Sequence, residues 1–384
     1  MQELFIDTPD KLQQLCEQLS GSEWLALDTE FLREKTYYSK FCLLQIANHR
    51  VAAAVDPLQI DDLSPLLNLL NDPGITKVFH AGRQDLEIFH QIWGTLPAPL
   101  FDTQLAATLI GLGNQIGYAA LVKGLLNVDL DKGHSRTDWS LRPLSPEQQR
   151  YALDDVIYLG QAYMKLNTEL HKLGRIPWLA DDFNTLASAE TYQINPQQQW
   201  QRIRGRQNLK GVQLAVLQAL AAWRETKAME SDRPKNWIIK DDILLELSRR
   251  KPKDMQQLAN IRGLEVRTAE RHGKKLLSLI AVAGGLPQRQ WPEEKNQRIR
   301  LTVEQDALAD ILMSVLRLRA KEQRFSPQAL ATRKELEQLA IGSRNTGVLT
   351  GWRREVIGND LLKVMEGTLW PQWRSGKIEL VPQR

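Results

Sequence analysis

The sequence predicts an α/β domain with a mixed five-stranded sheet, followed by two all-α helical domains. Short apolar runs alternate with helical periodicity over roughly the first 170 residues, and strand-like runs are absent after them. The chain of 384 residues is also too long for one ordinary core, so we expect two or three domains.

The strands are predicted from their apolar runs and the gaps between them. EWLALDTEFL, FCLLQIAN and RVAAAVDP are separated by turn-sized gaps, which favours three consecutive antiparallel strands. TKVFHA and PLFDT are two more strands, and each leads into a helical pattern, which predicts a mixed sheet with intercalated helices. Ser145 as N-cap and Pro146 at the first helical position predict the start of a long helix.

The pattern of strands and helices predicts three domains. We predict the α/β domain at residues 1–195, a first helical domain at 210–290 and a second at 296–380, with a polar, Gln-rich linker near residue 200. The two helical domains are weakly repeated, because RHGKKLLSLI in the first aligns with VIGNDLLKVM in the second. This alignment places Gly273 against Gly358.

The net charge of +4 combines two halves of opposite sign. Residues 1–170 contain 13 Lys and Arg against 22 Asp and Glu, and the remainder contains 37 against 24. A basic rear half indicates a polyanionic partner, such as nucleic acid or an anionic membrane surface, although it also fits a solvated face. The N-terminus lacks the pattern of a signal peptide, and the two cysteines fit a reducing compartment, so we expect a cytoplasmic protein.

Two carboxylates interrupt the apolar strand WLALDTEFL. Asp28 and Glu30 are two residues apart, so both side chains lie on one face of the strand. Buried carboxylates that face each other are unfavourable unless a cation lies between them. The cation could be an Arg or Lys side chain or a metal ion. Alternatively, the strand end could be exposed enough for water to solvate both groups.

Other acidic residues follow later elements. Asp85 lies in the first turn of a predicted helix, where the helix dipole alone favours a carboxylate. Asp155 flanks the apolar stripe of the long helix, and Tyr151 lies one turn earlier on the same flank, as in many packed surface pairs. If the four carboxylates converge, their oxygen atoms suit Mg²⁺ or Mn²⁺, and two such ions are the usual device for phosphodiester cleavage.

These residues resemble the three motifs of the DEDD 3′ to 5′ exonucleases. LALDTEF, FHAGRQDLEIF and YALDD match them, and Tyr151 places the chain in the Tyr subclass. The first helical domain resembles the HRDC domain, a nucleic-acid-binding module, and the second resembles it less closely. The whole arrangement resembles bacterial ribonuclease D, which implies an RNase H-like fold.

The resemblance also implies an activity and a role for each residue. It implies a metal-dependent hydrolase that releases nucleoside 5′-monophosphates from the 3′ ends of RNA, with tRNA precursors and other small structured RNAs as substrates. By position, Asp28, Glu30 and Asp155 would hold the first metal ion and Asp28 the second. Asp85 would hold the waters of the second ion, and Tyr151 would orient the attacking water.

Two loops carry candidate RNA contacts. LREKTYYSKF and HSRTDWSLRP interleave cations for phosphates with rings for stacked bases, as in a single-strand channel, although ordinary loops have similar compositions. The candidates are Arg33, Tyr37, Tyr38, Arg136, Trp139 and Arg142. We expect the basic rear half to bind a larger RNA body in a salt-dependent way.

Two alternatives remain at this stage. A DNA exonuclease would share the same motifs, and a binding protein could use the same fold without catalysis. A nucleotide-driven motor is not expected, because no GxxxxGK[ST] loop is present. We therefore expect an RNA-binding monomer that needs two divalent ions, no nucleotide cofactor and no membrane.

Overall fold

The computed structural model describes residues 1–131, 133, 137–293 and 300–383. The chain divides into two compact units. The first unit comprises Met1–Glu30, Phe41–Tyr192 and Ile299–Arg384, and the second comprises Phe31–Lys40 and Gln193–Arg298. None of the helices in the described part of the chain has the length and apolarity needed to cross a membrane.

The first unit is built around a mixed sheet. Its strands are β1 (Gln2–Ile6), β2 (Trp24–Leu32), β3 (Lys40–Ala47), β4 (Val51–Val55), β5 (Thr76–Phe79) and β6 (Leu100–Asp102). The strand order is β1-β4-β3-β2-β5-β6. Strand β1 is parallel to β4, β2 to β5 and β5 to β6, whereas β3 and β4 are antiparallel.

The sheet has six strands, so the expectation of five is wrong. All five predicted strands are present, and β1 is the additional one. Strand β1 is an edge strand whose Gln2 and Glu3 are exposed, so only three apolar residues mark it in the sequence. Length alone does not explain the omission, because the predicted strands β5 and β6 have only four and three residues.

Helices flank this sheet. They are α1 (Pro9–Leu19), α2 (Pro65–Leu70), α3 (Arg83–Trp93), α4 (Thr103–Thr108), α5 (Tyr118–Leu126), α6 (Pro146–Lys172) and α7 (Ala180–Leu186). Helix α6 begins as predicted, because Ser145 and Gln148 form a capping box. Its stripe of Ala152, Val156 and Leu159 is buried, which fixes the face that the helix turns to the core.

The second unit is helical. It contains α8 (Val212–Glu230), α9 (Lys235–Ile238), α10 (Asp241–Arg250), α11 (Met255–Ala259) and α12 (Val266–Gly284). Leu217, Leu244 and Leu276 are fully buried in its core. Trp200 and Ile203, from the stretch expected to be a linker, belong to the same core. That stretch is therefore partly structural, because its two large apolar side chains are buried.

The C-terminal segment clusters with the first unit. Its helices are α13 (Val303–Glu322), α14 (Pro327–Leu330), α15 (Arg333–Ala340), α16 (Gly351–Arg353) and α17 (Asn359–Met365), and a hairpin follows with β7 (Leu369–Arg374) and β8 (Lys377–Pro382). The all-α expectation is wrong here. LWPQWR and KIELVP lack a long apolar run, and their residues are mostly exposed.

The two glycines of the weak repeat both leave no room for a Cβ, but they face different groups. A Cβ on Gly273 would come within 2.8 Å of the Met255 side chain, and one on Gly358 within 2.5 Å of the Val348 carbonyl. The first neighbour is a flexible side chain and the second is backbone, so the repeat stays a prediction.

Arg175 joins the C-terminal segment to the body of the first unit. Its guanidinium donates to the carbonyl oxygens of Leu109, at 2.5 Å, and Gln323, at 2.7 Å. It also lies 4.1 Å from the centre of the Phe325 ring. Trp178 stacks on Trp352 at 4.9 Å with an interplanar angle of 6°. The segment is thus packed against the end of the region that carries α6.

Candidate active site

Strand β2 and helix α6 bring three carboxylates together. Asp28, Glu30 and Asp155 each offer a carboxylate oxygen, and these oxygens lie within 4.8 Å of one another. The strand places the first two on one face. The hydroxyl of Tyr118 donates to the backbone carbonyl of Asp155 at 2.5 Å, which fixes this turn of α6.

Asp85 enters from the first turn of α3. Asp85 is 7% exposed, and its carboxylate accepts a hydrogen bond from the hydroxyl of Thr29. Thr29 lies between Asp28 and Glu30 in β2, so one strand both supplies two carboxylates and anchors a third. This role of Thr29 cannot be predicted from the sequence, because no local pattern indicates a partner 56 residues away.

The site has an unfavourable concentration of negative charge. Burial raises the pKa of Asp28 well above its ordinary value, and Asp85, Asp155 and Glu30 raise it further. Burial, with Asp155 and Asp85, raises the pKa of Glu30 to about 9. Burial and Asp154 raise the pKa of Asp155 to about 7. Burial raises the pKa of Asp85 to about 6, although the hydrogen bond from Thr29 opposes that rise.

Among residues 1–131, 133, 137–293 and 300–383, no protein cation neutralises this cluster. No Lys or Arg in these ranges forms an ion pair with Asp28, Glu30 or Asp155. The described residues therefore give no support to the alternative of an Arg or Lys salt bridge. Half-buried oxygen ligands that repel one another fit a hard divalent cation such as Mg²⁺ or Mn²⁺.

Tyr151 lies beside the carboxylates. Burial, followed by Asp155, Glu30 and Asp28, raises the pKa of its hydroxyl above the ordinary value. The phenol is therefore protonated at neutral pH and can donate or accept a hydrogen bond, but it is a poor base. A cavity of about 380 Å³ is lined by Tyr151 and Asp155, which leaves room for a ligand next to both side chains.

Comparison with known proteins decides the family. The profile of the 3′-5′ exonuclease family matches residues 4–171, and that of the HRDC domain matches residues 213–280. Ribonuclease D of Sphingobium indicum is 38% identical over 373 residues, 96% of this chain and 96% of that protein. Ribonuclease D of Zymomonas mobilis is 39% identical over 373 residues, 96% of this chain and 95% of that protein. The chain belongs to the ribonuclease D family.

A solved structure agrees with this assignment. The crystal structure of Escherichia coli RNase D, an exoribonuclease involved in structured RNA processing, matches with a TM-score of 0.82 and 34% identity. The match covers 96% of this chain and 99% of that chain. The predicted RNase H-like fold, the HRDC domain and the 3′-5′ exoribonuclease activity of the ribonuclease D family are confirmed. The second HRDC-like domain stays a prediction.

Two of the residues expected to contact RNA have structural roles in this member of the family. Trp139 is 2% exposed, and its ring lies 6.0 Å from that of Tyr151, so it packs behind the tyrosine. Arg142 forms a bidentate ion pair with the fully buried Asp56 and donates to the carbonyl of Cys42. Neither side chain presents a surface to a base or a phosphate, which corrects the expectation for both.

The loop after β2 gives a mixed result. Tyr37 is 5% exposed, and its hydroxyl donates to Glu225 at 2.5 Å within the second unit, so the expectation that it stacks on a base is wrong. Tyr38 is partly exposed and Arg33 is exposed, so both stay candidates for RNA contact. Arg136 lies outside the described residues.

Proposed function

We propose that this member of the ribonuclease D family cleaves RNA from its 3′ end with two divalent ions and releases nucleoside 5′-monophosphates. The observation that carries the proposal is the group of three uncompensated carboxylates within 4.8 Å. Asp28, Glu30 and Asp155 would hold the first ion, Asp28 would also contribute to the second, and Asp85 would bind waters of the second. When bound, Mg²⁺ or Mn²⁺ would activate the attacking water and stabilise charge on the leaving oxygen.

Tyr151 orients the attacking water in this proposal. Its hydroxyl keeps its proton at neutral pH, because burial and the carboxylates raise its pKa. The ring of Trp139 supports the tyrosine from behind. A fixed donor beside the scissile phosphate would contribute by positioning, which does not require the residue to titrate.

The proposed substrates are tRNA precursors and other small structured RNAs in the cytoplasm. The Escherichia coli relative, an exoribonuclease involved in structured RNA processing, supports this class of substrate. The 37 Lys and Arg after residue 170 support binding to a large polyanion. We propose that the protein acts as a monomer.

One assay tests the activity and its specificity. An end-labelled RNA and a DNA of the same sequence are incubated with Mg²⁺ or with EDTA, and the products are resolved by length. We expect stepwise shortening of the RNA in Mg²⁺ alone. Shortening of the DNA at the same rate would favour the DNA exonuclease, and no shortening of either would favour a binding protein.

Two substitutions test the residue roles. Asp155→Asn removes a ligand charge and should lower kcat by about 10³-fold or more, whereas Tyr151→Phe should lower kcat by about 10² to 10³-fold and leave Mg²⁺ affinity unchanged. Steady-state kinetics and calorimetric titration of Mg²⁺ measure both. Asp61→Asn is the matched control, because Asp61 is exposed and belongs neither to the carboxylate group nor to the cavity beside Tyr151, so this variant should keep full activity. An active Asp155→Asn variant would refute the assignment.

A further inference from the structure

Arg142 uses its whole guanidinium to hold the segment before α6. It forms a bidentate pair with Asp56, at 2.5 and 2.7 Å, and Asp56 is fully buried directly after β4. Its other N–H groups donate to the carbonyl oxygens of Cys42, at 2.7 Å, and of Trp139 and Leu141, each at 2.8 Å. All five N–H donors are therefore used, which fixes the guanidinium in place.

Asp56 is a rigid anchor for this arginine. Its backbone N–H donates to the carbonyl of Ile6 on β1 at 2.8 Å, and its carboxylate accepts the backbone N–H of Leu58 at 3.0 Å. Cys42, whose carbonyl accepts from Arg142, lies in β3. The guanidinium therefore connects the segment before α6 directly to the sheet.

The ring of Trp139 is the next contact. Trp139 is 2% exposed, and its ring centre lies 6.0 Å from that of Tyr151. Its indole N–H is buried and has no hydrogen-bond partner in the described part of the chain. Packing and the carbonyl held by Arg142 therefore determine where the ring lies. An apolar ring with a structural role alone would avoid the free-energy cost of an unpartnered N–H, so the position of this ring needs a further explanation.

Tyr151 needs a support of this kind. Helix α6 fixes its backbone, but its hydroxyl lies at the far end of a side chain that can rotate about two bonds. Tyr151 lines the cavity of about 380 Å³ beside Asp155, so the cavity alone leaves its ring room to move. A displacement of about 1 Å can lower the rate of an enzyme by about 10²-fold. The ring of Trp139 restricts that movement.

We infer that the Asp56–Arg142 ion pair positions the hydroxyl of Tyr151 through Trp139. Asp56, Arg142 and Trp139 are thus positioning residues, and each acts through its neighbour. An ion pair that served stability alone would not need to hold the carbonyls on both sides of Ser140. The inference rests on the proposed function, because it explains how the proposed water-orienting residue keeps its place.

A double-mutant cycle tests the inference. Arg142→Lys keeps the charge opposite Asp56 but loses the planar guanidinium that holds both carbonyls. We expect kcat on a short RNA oligomer to fall about 10- to 10²-fold, with KM and Mg²⁺ affinity unchanged. In the Tyr151→Phe background the same substitution should change kcat less than about twofold, because no hydroxyl remains to be positioned. Single-turnover kinetics with excess enzyme measures both effects.

A second variant and a control keep the test specific. Trp139→Phe leaves the ion pair intact and should show the same dependence on the Tyr151 hydroxyl, even if Arg142→Lys folds poorly. Arg175→Lys is the matched control, because Arg175 is a buried arginine that donates to two backbone carbonyls elsewhere in the first unit. Any change in kcat that it causes should be the same with and without the hydroxyl. If Arg142→Lys behaves like this control, the inference is overturned.

A crystal structure of the Arg142→Lys variant separates the inference from the proposed function. We expect the rings of Trp139 and Tyr151 to shift or to occupy a second rotamer, whether or not the protein cleaves RNA. If the wild-type protein shortens no RNA, the proposed function fails, and an unmoved Tyr151 ring in the variant would still overturn the inference. If the wild-type protein shortens RNA but Arg142→Lys lowers kcat equally in both backgrounds, only the inference fails.

Discussion

At the scale of residues, the carboxylates of the site destabilise the metal-free protein above acidic pH. The pKa of Glu30 is raised to about 9, that of Asp155 to about 7 and that of Asp85 to about 6. The folded state therefore holds more protons than the unfolded state between about pH 4 and pH 9. In that window the free energy of unfolding falls as the pH rises.

Bound Mg²⁺ should reverse this trend. The ion binds the ionised carboxylates and competes with protons for them, so its stabilising effect increases with pH. We expect Mg²⁺ to raise Tm by several degrees at about pH 8 and by clearly less at about pH 6. Thermal unfolding monitored by circular dichroism, in EDTA or in Mg²⁺, measures the difference.

The same measurement has two controls. Asp28→Asn removes one repelling charge, so it should raise the Tm of the metal-free protein and abolish most of the Mg²⁺ response. Asp61→Asn changes an exposed residue outside the carboxylate group and should respond to Mg²⁺ as the wild-type protein does. An equal Mg²⁺ response at both pH values would contradict the competition between ions and protons.

At the scale of elements, the loop after β2 is held by helices of the second unit. The hydroxyl of Tyr37 donates to the buried Glu225, which also pairs with Lys235 at 3.3 Å. The carboxylate of Asp232 accepts the backbone N–H groups of Tyr37 and Tyr38, each at 3.0 Å. Because the loop continues directly from β2, these contacts restrain the end of the strand that carries the first two carboxylates.

Tyr37→Phe tests this restraint. The variant leaves a buried carboxylate oxygen without its donor, so we expect a loss of about 1–3 kcal/mol in the free energy of unfolding. Denaturant unfolding without RNA measures it, and turnover of a short RNA oligomer should fall as well. Tyr38→Phe is the matched control, because the Tyr38 hydroxyl forms no hydrogen bond within the described ranges and its ring is partly exposed. Equal stability of the two variants would contradict the restraint.

At the scale of the whole molecule, the C-terminal segment is part of the body that carries the carboxylate site. Arg175 is buried and donates to carbonyls at Leu109 and Gln323, and Phe325 lies under its guanidinium. Removing the segment would expose this arginine and leave the Trp178 ring without Trp352. The segment therefore contributes to the stability of the first unit.

Two truncations separate this contribution from an effect of length. A chain that ends at residue 293 should lose several degrees of Tm in the first unit and lose turnover on short RNA, because buried apolar and polar groups become exposed. A chain that ends at residue 369 lacks only the mostly exposed hairpin and should keep nearly the full Tm. Calorimetry of both chains measures the effect. A stable, fully active chain of 293 residues would contradict the proposed packing role.

The features of the fold that could be predicted are those that depend on residues close together in the sequence. The cap at Ser145 and the buried stripe of α6 follow from spacing within one helix, and the five predicted strands follow from their own apolar runs. The pairings of Arg142 with Asp56 and of Tyr37 with Glu225 join residues 86 and 188 positions apart. The composition of their loops predicted that Arg142 and Tyr37 contact RNA. A loop pattern contains no information about a distant buried partner, so this prediction was wrong for both.

The register of β2 determines which side chains point to each face of the strand, and both faces serve the site. Asp28 and Glu30 face the ions, and Thr29 between them anchors Asp85. One residue inserted or deleted just before Asp28 would turn each of these three side chains to the opposite face. Length changes during evolution should therefore be absent from this stretch of the chain.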